Sequence, residues 1–164
     1  MAVKLHLFSI MMSEMLGNQY FLARNYADAA ENLQYALEND PLNKSVRKKL
    51  VICYSQTGEI QKALNVFYNL IEEDIDCIIN TDVVSDDCPC PDLVKHYGKI
   101  FPYEENSIDL KLMLGMLWLY CEVPTSLKFF KSVLEEYPND ERLKSISSMI
   151  ENRISLINNL NKHS

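Results

Sequence analysis

The chain contains few of the residues that organise loops or turn strands. Its 164 residues include 4 glycines and 6 prolines, and this scarcity argues against a loop-rich or β-rich protein and favours a helical one. The glycines are isolated from one another, so the sequence has no glycine-rich loop of the kind that holds phosphate groups. These absences exclude the nucleotide-binding folds that depend on such loops.

Basic residues and long apolar runs are also scarce. Lysine and arginine total 16 against 23 acidic residues, which gives a formal net charge of −7. Nucleic-acid binding requires clustered lysine and arginine, so we predict no nucleic-acid partner. No stretch approaches the ~20 apolar residues of a membrane-spanning helix, and we predict no membrane association.

The cysteines and the N-terminal residues indicate a reducing compartment. Five cysteines are an odd number, which favours free thiols over a disulfide framework. The first 12 residues are mostly apolar with a single early lysine, Lys4, but His6 interrupts the run and no cleavage site of small residues follows. We therefore expect a cytoplasmic protein without a signal peptide. No pairing of a nucleophile with a base is evident, so we predict that it is not an enzyme.

Apolar residues recur every three or four positions, which predicts a series of helices. The first is expected at about 10–23 and the second at about 27–38, and Pro41 ends this pair because proline disfavours helix before it. The pattern then recurs 34 residues further on. The recurring pairs of positions are Leu16 and Leu50, Tyr20 and Tyr54, Ala29 and Ala63, and Leu33 and Phe67.

These positions carry the pattern of the tetratricopeptide repeat, whose helix pair of about 34 residues bears Leu-Gly, Tyr, Ala, Phe and Pro at fixed intervals. The chain resembles this family over about 10–75 and 107–138, with Leu16-Gly17 and Leu114-Gly115 opening the first and third units. The resemblance implies an all-α fold. It would be a right-handed helical-repeat superhelix of about three TPR-like helix pairs, with a short inserted helix and a C-terminal capping helix.

The expected organisation is a single TPR-like domain over 1–164. Its repeat units are predicted at about 10–43, 44–75 and 107–140, with Asn106 as the cap that begins the third. A cysteine-containing insert, 76–106, separates the second unit from the third and carries a short helix near Pro91 to Ile100. An amphipathic helix at 141–161 would close the last repeat, since terminal repeats need a polar outer face.

The resemblance implies a non-catalytic protein-protein interaction module, acting as adaptor or assembly factor without a cofactor. In such proteins the first helices line a concave groove that binds a peptide or a partner helix. One subclass grips the C-terminal carboxylate of chaperones, and Asn18 matches its asparagine. Glu14 replaces the lysine of that clamp and Lys49 its second asparagine, so we predict that chaperone tails are not bound. The predicted groove residues are Met11, Glu14, Asn18, Phe21, Ser45, Lys48, Ile52, Ser55, Leu112, Met116 and Leu119.

Other functions remain open from the sequence. Three thiols and an imidazole in or near the insert are the ligand types of a structural zinc site, although their spacing is unusual. They would make the chain a metal- or redox-responsive scaffold, or else they simply pack a turn. The chain also resembles, in length and acidity, the small chaperones of secreted hydrophobic clients. A second copy of the chain is a further partner to consider. The four predicted metal ligands are Cys77, Cys88, Cys90 and His96.

Overall fold

A computed structural model describes residues 2–162, and all regular structure within that range is helical. The prediction of an all-α helical-repeat fold is confirmed. The helices, in chain order, are α1 Ala2–Leu22, α2 Tyr26–Asn39, α3 Lys44–Gln56, α4 Ile60–Asp74, α5 Asp76–Ile79, α6 Cys90–Ile100, a 3₁₀ turn Phe101–Tyr103, α7 Ile108–Leu119, α8 Val123–Glu136 and α9 Glu141–Lys162.

The chain divides into two compact units, Met1–Leu70 and Ile71–Ser164, and the boundary falls within α4. In the first unit α1 packs against α2, and α2 packs against α3. In the second unit α7 packs against α6 and α8, and α8 packs against α9. Each unit therefore contains one of the helix pairs that the repeat pattern predicts, together with further helices.

Capping side chains set the beginnings of the paired helices in the first unit. The Asn25 side chain accepts a hydrogen bond from the Asp28 amide at the start of α2, and Arg24 adopts φ 61° in the turn before it. Asn43 caps α3 in the same way, with 3.0 Å between its side-chain oxygen and the Val46 amide nitrogen. These bonds satisfy amides that have no partner within the first helical turn.

Helix α1 begins at Ala2, well before residue 10, where the repeat pattern places its start. No proline or glycine interrupts the sequence between these points, and Ser9, whose residue type favours a helix start, does not begin the helix here. The extension adds about two turns, in which Leu5, Leu7 and Phe8 are exposed apolar residues and Lys4, His6 and Ser9 are polar.

In the second unit, the observed caps differ slightly from those predicted. Ser107, not Asn106, caps α7 by accepting a hydrogen bond from the Leu110 amide at 3.2 Å. Asp140 caps α9, with 2.9 Å to the Leu143 amide. The short helix α5 was not predicted, and Arg153 of α9 donates a hydrogen bond to Asp76 at its start, at 2.6 Å.

The two glycines of the repeat pattern lie where paired helices approach most closely. A Cβ atom built on Gly17 of α1 would stand 2.7 Å from the side chain of Leu33 in α2 and 3.2 Å from its backbone nitrogen. A Cβ on Gly115 of α7 would stand 3.1 Å from the ring of Phe130 in α8. Leu33 and Phe130 are fully buried, so neither side chain has space to move away.

We predict that Gly17→Ala destabilises the protein by about 1–3 kcal/mol, because the added methyl group overlaps a buried leucine. The matched control is Gly98→Ala in α6, where nothing lies within 4 Å of the new atom. That substitution should stabilise the protein by about 0.5–1 kcal/mol, since alanine is the better helix former. Urea unfolding gives the change in the free energy of unfolding for each variant. Equal changes in Gly17→Ala and Gly98→Ala would contradict the close packing at Gly17.

Candidate functional site

Part of the predicted groove is accessible in the structure and part belongs to the core. The accessible residues lie on α1 and in the first two turns of α3. They are Met11, Glu14, Asn18, Ser45 and Lys48.

The remaining predicted groove residues are buried, which corrects their assignment to an open surface. They come from the ends of α1 and α3 and from α7, and the Ser55 hydroxyl donates to the Ile52 carbonyl at 2.7 Å instead of facing a ligand. A helical period shows which residues share a face, but not whether that face is open or covered. The buried residues are Phe21, Ile52, Ser55, Leu112, Met116 and Leu119.

The accessible α1 residues belong to a larger apolar surface, here called the α1 outer face. It borders a groove of about 490 Å³. Phe8, Met11 and Met15 are 64%, 70% and 49% exposed, although large apolar side chains of this kind are usually covered. The residues of the α1 outer face are Phe8, Met11, Met12, Glu14, Met15, Asn18, Gln19 and Leu22.

The position of Gly17 explains why this face is outward. Gly17 packs against α2, and a residue two positions away on a helix points to the opposite side. Met15 therefore points away from α2, and Phe8, Met11 and Leu22 share its side at helical spacing. Because α1 is apolar on both sides, packing one side leaves the other exposed.

One edge of the α1 outer face is fixed by contacts to α3. Lys49 donates a hydrogen bond to the Asn18 side-chain oxygen at 2.7 Å, and its ammonium also lies 5.9 Å from the centroid of the Phe21 ring. The amide oxygen of Asn18 is thus engaged within the fold. A polar groove of about 590 Å³ lies elsewhere on the first unit, between Ser9 and Ser13 of α1 and Glu31, Tyr35 and Glu38 of α2.

Sequence reasoning missed several residues of the α1 outer face, namely Phe8, Met12, Met15, Gln19 and Leu22. A signal for them was present: Lys4 and Glu14 are the only lysine, arginine or acidic residues in α1. A helix that is apolar around its whole circumference needs more than one packing partner.

Two of the predicted metal ligands lie together, but the set of four does not assemble. The Cys88 thiol donates to the Cys90 sulfur at 2.7 Å, and both side chains are buried. His96 is exposed and packs edge-on against Tyr97. Within residues 2–162, no three His, Cys, Asp or Glu side chains are placed to hold a metal ion.

Burial has the largest effect on the pKa values of Cys90 and Cys121, and it raises them. Desolvation and the neighbouring Cys88 raise the pKa of Cys90 well above its ordinary value. The pKa of Cys121, which is exposed at the end of α7, rises from 9.0 to about 11, chiefly through partial desolvation and also through Cys88. Redox-active thiols usually have a lowered pKa, whereas burial shifts the pKa of both Cys90 and Cys121 in the opposite direction.

A comparison with known protein families agrees with the helical arrangement of the first unit. Residues 20–76 match the tetratricopeptide repeat family model. The matched segment runs from the end of α1 through α2, α3 and α4 into α5, so the predicted resemblance is confirmed there. This repeat suggests a protein-protein interaction module and is generally a non-enzymatic scaffold. No curated protein matched the chain.

The α1 outer face lies mostly before the matched tetratricopeptide repeat segment, since only its last residue, Leu22, falls within 20–76. Among the helices of the described range, none is both long enough and apolar enough to cross a bilayer. The exposed apolar residues of α1 therefore lie mostly outside the segment that the family model matches.

We predict slow alkylation of Cys121 by iodoacetamide in the native protein. At pH 8, its raised pKa leaves a thiolate fraction roughly 100-fold below that of an ordinary thiol. The rate should rise about tenfold per pH unit until the pH approaches 11, because only the thiolate reacts. Mass spectrometry of the labelled chain gives the rate, and the urea-unfolded chain is the control. A fast reaction at pH 7 would contradict the raised pKa.

Proposed function

We propose that the chain is a non-catalytic interaction module of the cytoplasm, an adaptor or assembly factor, that binds an amphipathic helix of a partner protein against the α1 outer face. The observation that carries this proposal is the exposure of Phe8, Met11 and Met15 on one side of a helix whose other side packs on α2. Contiguous apolar surface of this kind is typical of interaction sites.

The form of the α1 outer face favours a helical ligand. Its apolar residues follow a line along α1 from Phe8 to Leu22, a length of about 21 Å at 1.5 Å per residue. A second helix can lay its own apolar stripe along such a line, with side chains of each helix filling the gaps of the other. Met11, Met12 and Met15 supply flexible side chains that adapt to the shape of the ligand.

The polar residues at the edge of the face favour a partner with a basic residue beside its apolar stripe. Glu14 is half-buried and forms no ion pair within the described part of the chain. A lysine or arginine of the partner would pair with it, whereas an acidic ligand would be repelled. The Asn18 oxygen is already bonded to Lys49, so Asn18 supports α3 and contributes less to the partner.

The same apolar exposure favours a second candidate, a small chaperone that shields the hydrophobic segment of a client. Both functions use the α1 outer face. They differ in the fate of the bound segment, since a client is insoluble alone and is released, whereas an assembly partner stays bound.

The test introduces two acidic residues, Met11→Glu and Met15→Glu, into the α1 outer face. Partner recovery in affinity purification from cell extract should fall by about tenfold or more, because buried glutamates at the centre of an apolar interface are strongly unfavourable. Photo-crosslinking from position 11 should then map to a helical segment of the recovered partner.

The matched control carries Leu42→Glu and Val84→Glu. These side chains are 73% and 85% exposed and lie outside α1, so the control adds the same charge without touching the face. It should recover the partner at the wild-type level. Equal recovery by both double variants would refute the proposed binding surface.

A further inference from the structure

The second unit contains a cavity that the interaction surface on α1 does not use. Its volume is about 650 Å³, within the range of small-molecule sites. The walls come from the insert, from α6 and from the end of α7, and we call it the α6 cavity. Its lining residues are Ile79, Thr81, Val83, Pro91, Val94, Lys95, Trp118, Tyr120 and Cys121.

Most of the α6 cavity wall is apolar, and a single charged residue lines it. Ile79, Val83, Pro91 and Val94 offer hydrocarbon surface, while Lys95 offers the one ammonium group. Lys95 forms no ion pair or hydrogen bond with any described residue. A lysine beside an apolar wall attracts a ligand that is both anionic and hydrophobic.

The other polar groups of the cavity agree with an anionic ligand. The Trp118 side chain is half-buried, and its indole N–H, which can only donate, has no acceptor among residues 2–162. The Thr81 hydroxyl already donates to the Ile78 carbonyl at 2.7 Å. The raised pKa of Cys121 keeps its thiol neutral at physiological pH, so it does not repel an anion.

We propose that the α6 cavity binds a small amphipathic carboxylate, with its hydrocarbon body against Ile79, Val83 and Val94 and its carboxylate paired with Lys95. Lys95 supplies a charged donor and the Trp118 indole N–H a second donor in the cavity lining, and a carboxylate offers acceptor oxygens to both. The ligand is a free organic acid, because the cavity is a pocket of small-molecule size within one unit. This proposal goes beyond protein binding by α1 and does not depend on it.

The chain provides its own reporter for the test, since Trp118 is the only tryptophan and lines the cavity. Titration with decanoate should change the Trp118 fluorescence in a saturable manner. Decanol, which has the same chain length without the charge, should bind at least about tenfold more weakly, because it lacks the charge-assisted pairing with Lys95.

Lys95→Glu should weaken decanoate binding by about tenfold or more, since it places a like charge beside the carboxylate. Lys128→Glu is the matched control, because Lys128 is an exposed lysine of α8 outside the cavity lining. It changes the net charge equally and should bind decanoate as the wild type does. Both exposed substitutions should leave the circular dichroism spectrum unchanged.

The outcomes separate this proposal from the one for α1. The variant with Met11→Glu and Met15→Glu should retain full decanoate binding even if it loses the protein partner. An unchanged Trp118 signal up to saturating decanoate would overturn the proposed site. So would equal affinities for decanoate and decanol, or equal affinities of Lys95→Glu and wild type, because each would remove the role of Lys95.

Discussion

The structure depends on the close packing of two helices at a glycine in each unit. Leu33 of α2 sits over Gly17 of α1, and Phe130 of α8 sits over Gly115 of α7. In the α7–α8 pair, the Ser126 hydroxyl also donates to the Gly115 carbonyl at 2.7 Å. These contacts fix which side of each first helix faces its partner. A Cβ at Gly17 would overlap the Leu33 side chain, and one at Gly115 would press against the Phe130 ring, so glycine permits the closest approach of each pair.

This constraint also determines which surface α1 presents. With Gly17 turned toward α2, Phe8, Met11 and Met15 on the opposite side of α1 stay exposed within the described part of the chain. Helix α7 shows the alternative outcome, since it is also largely apolar but has buried residues around nearly its whole circumference. A largely apolar helix therefore lies in the core of one unit and has an exposed face in the other.

The sequence predicted much of the helical order but less of the surface. The helices at about 10–23 and 27–38 and the insert helix near 91–100 could be predicted from local signals, because they depend on residues close in sequence. The cap of α7 was predicted one residue too early, at Asn106 instead of Ser107. Whether Phe21 or Leu112 is open to solvent depends on helices distant in sequence, so periodicity alone could not decide it. Sequence also could not show which of the four predicted metal ligands lie together. Within the described residues, Cys77 and His96 do not join Cys88 and Cys90 in a metal-binding group.

Helix α1 has one packed side and one open side, which we propose is covered when a partner binds. The most direct measurement is the rate of maleimide labelling at a cysteine placed at Met11, compared with one placed at the exposed Leu42. Both positions should react at similar fast rates in the free protein, and position 11 alone should react more slowly when the partner helix is added. Slow labelling at position 11 in the free protein, or no protection by a bound partner, would contradict this role for α1.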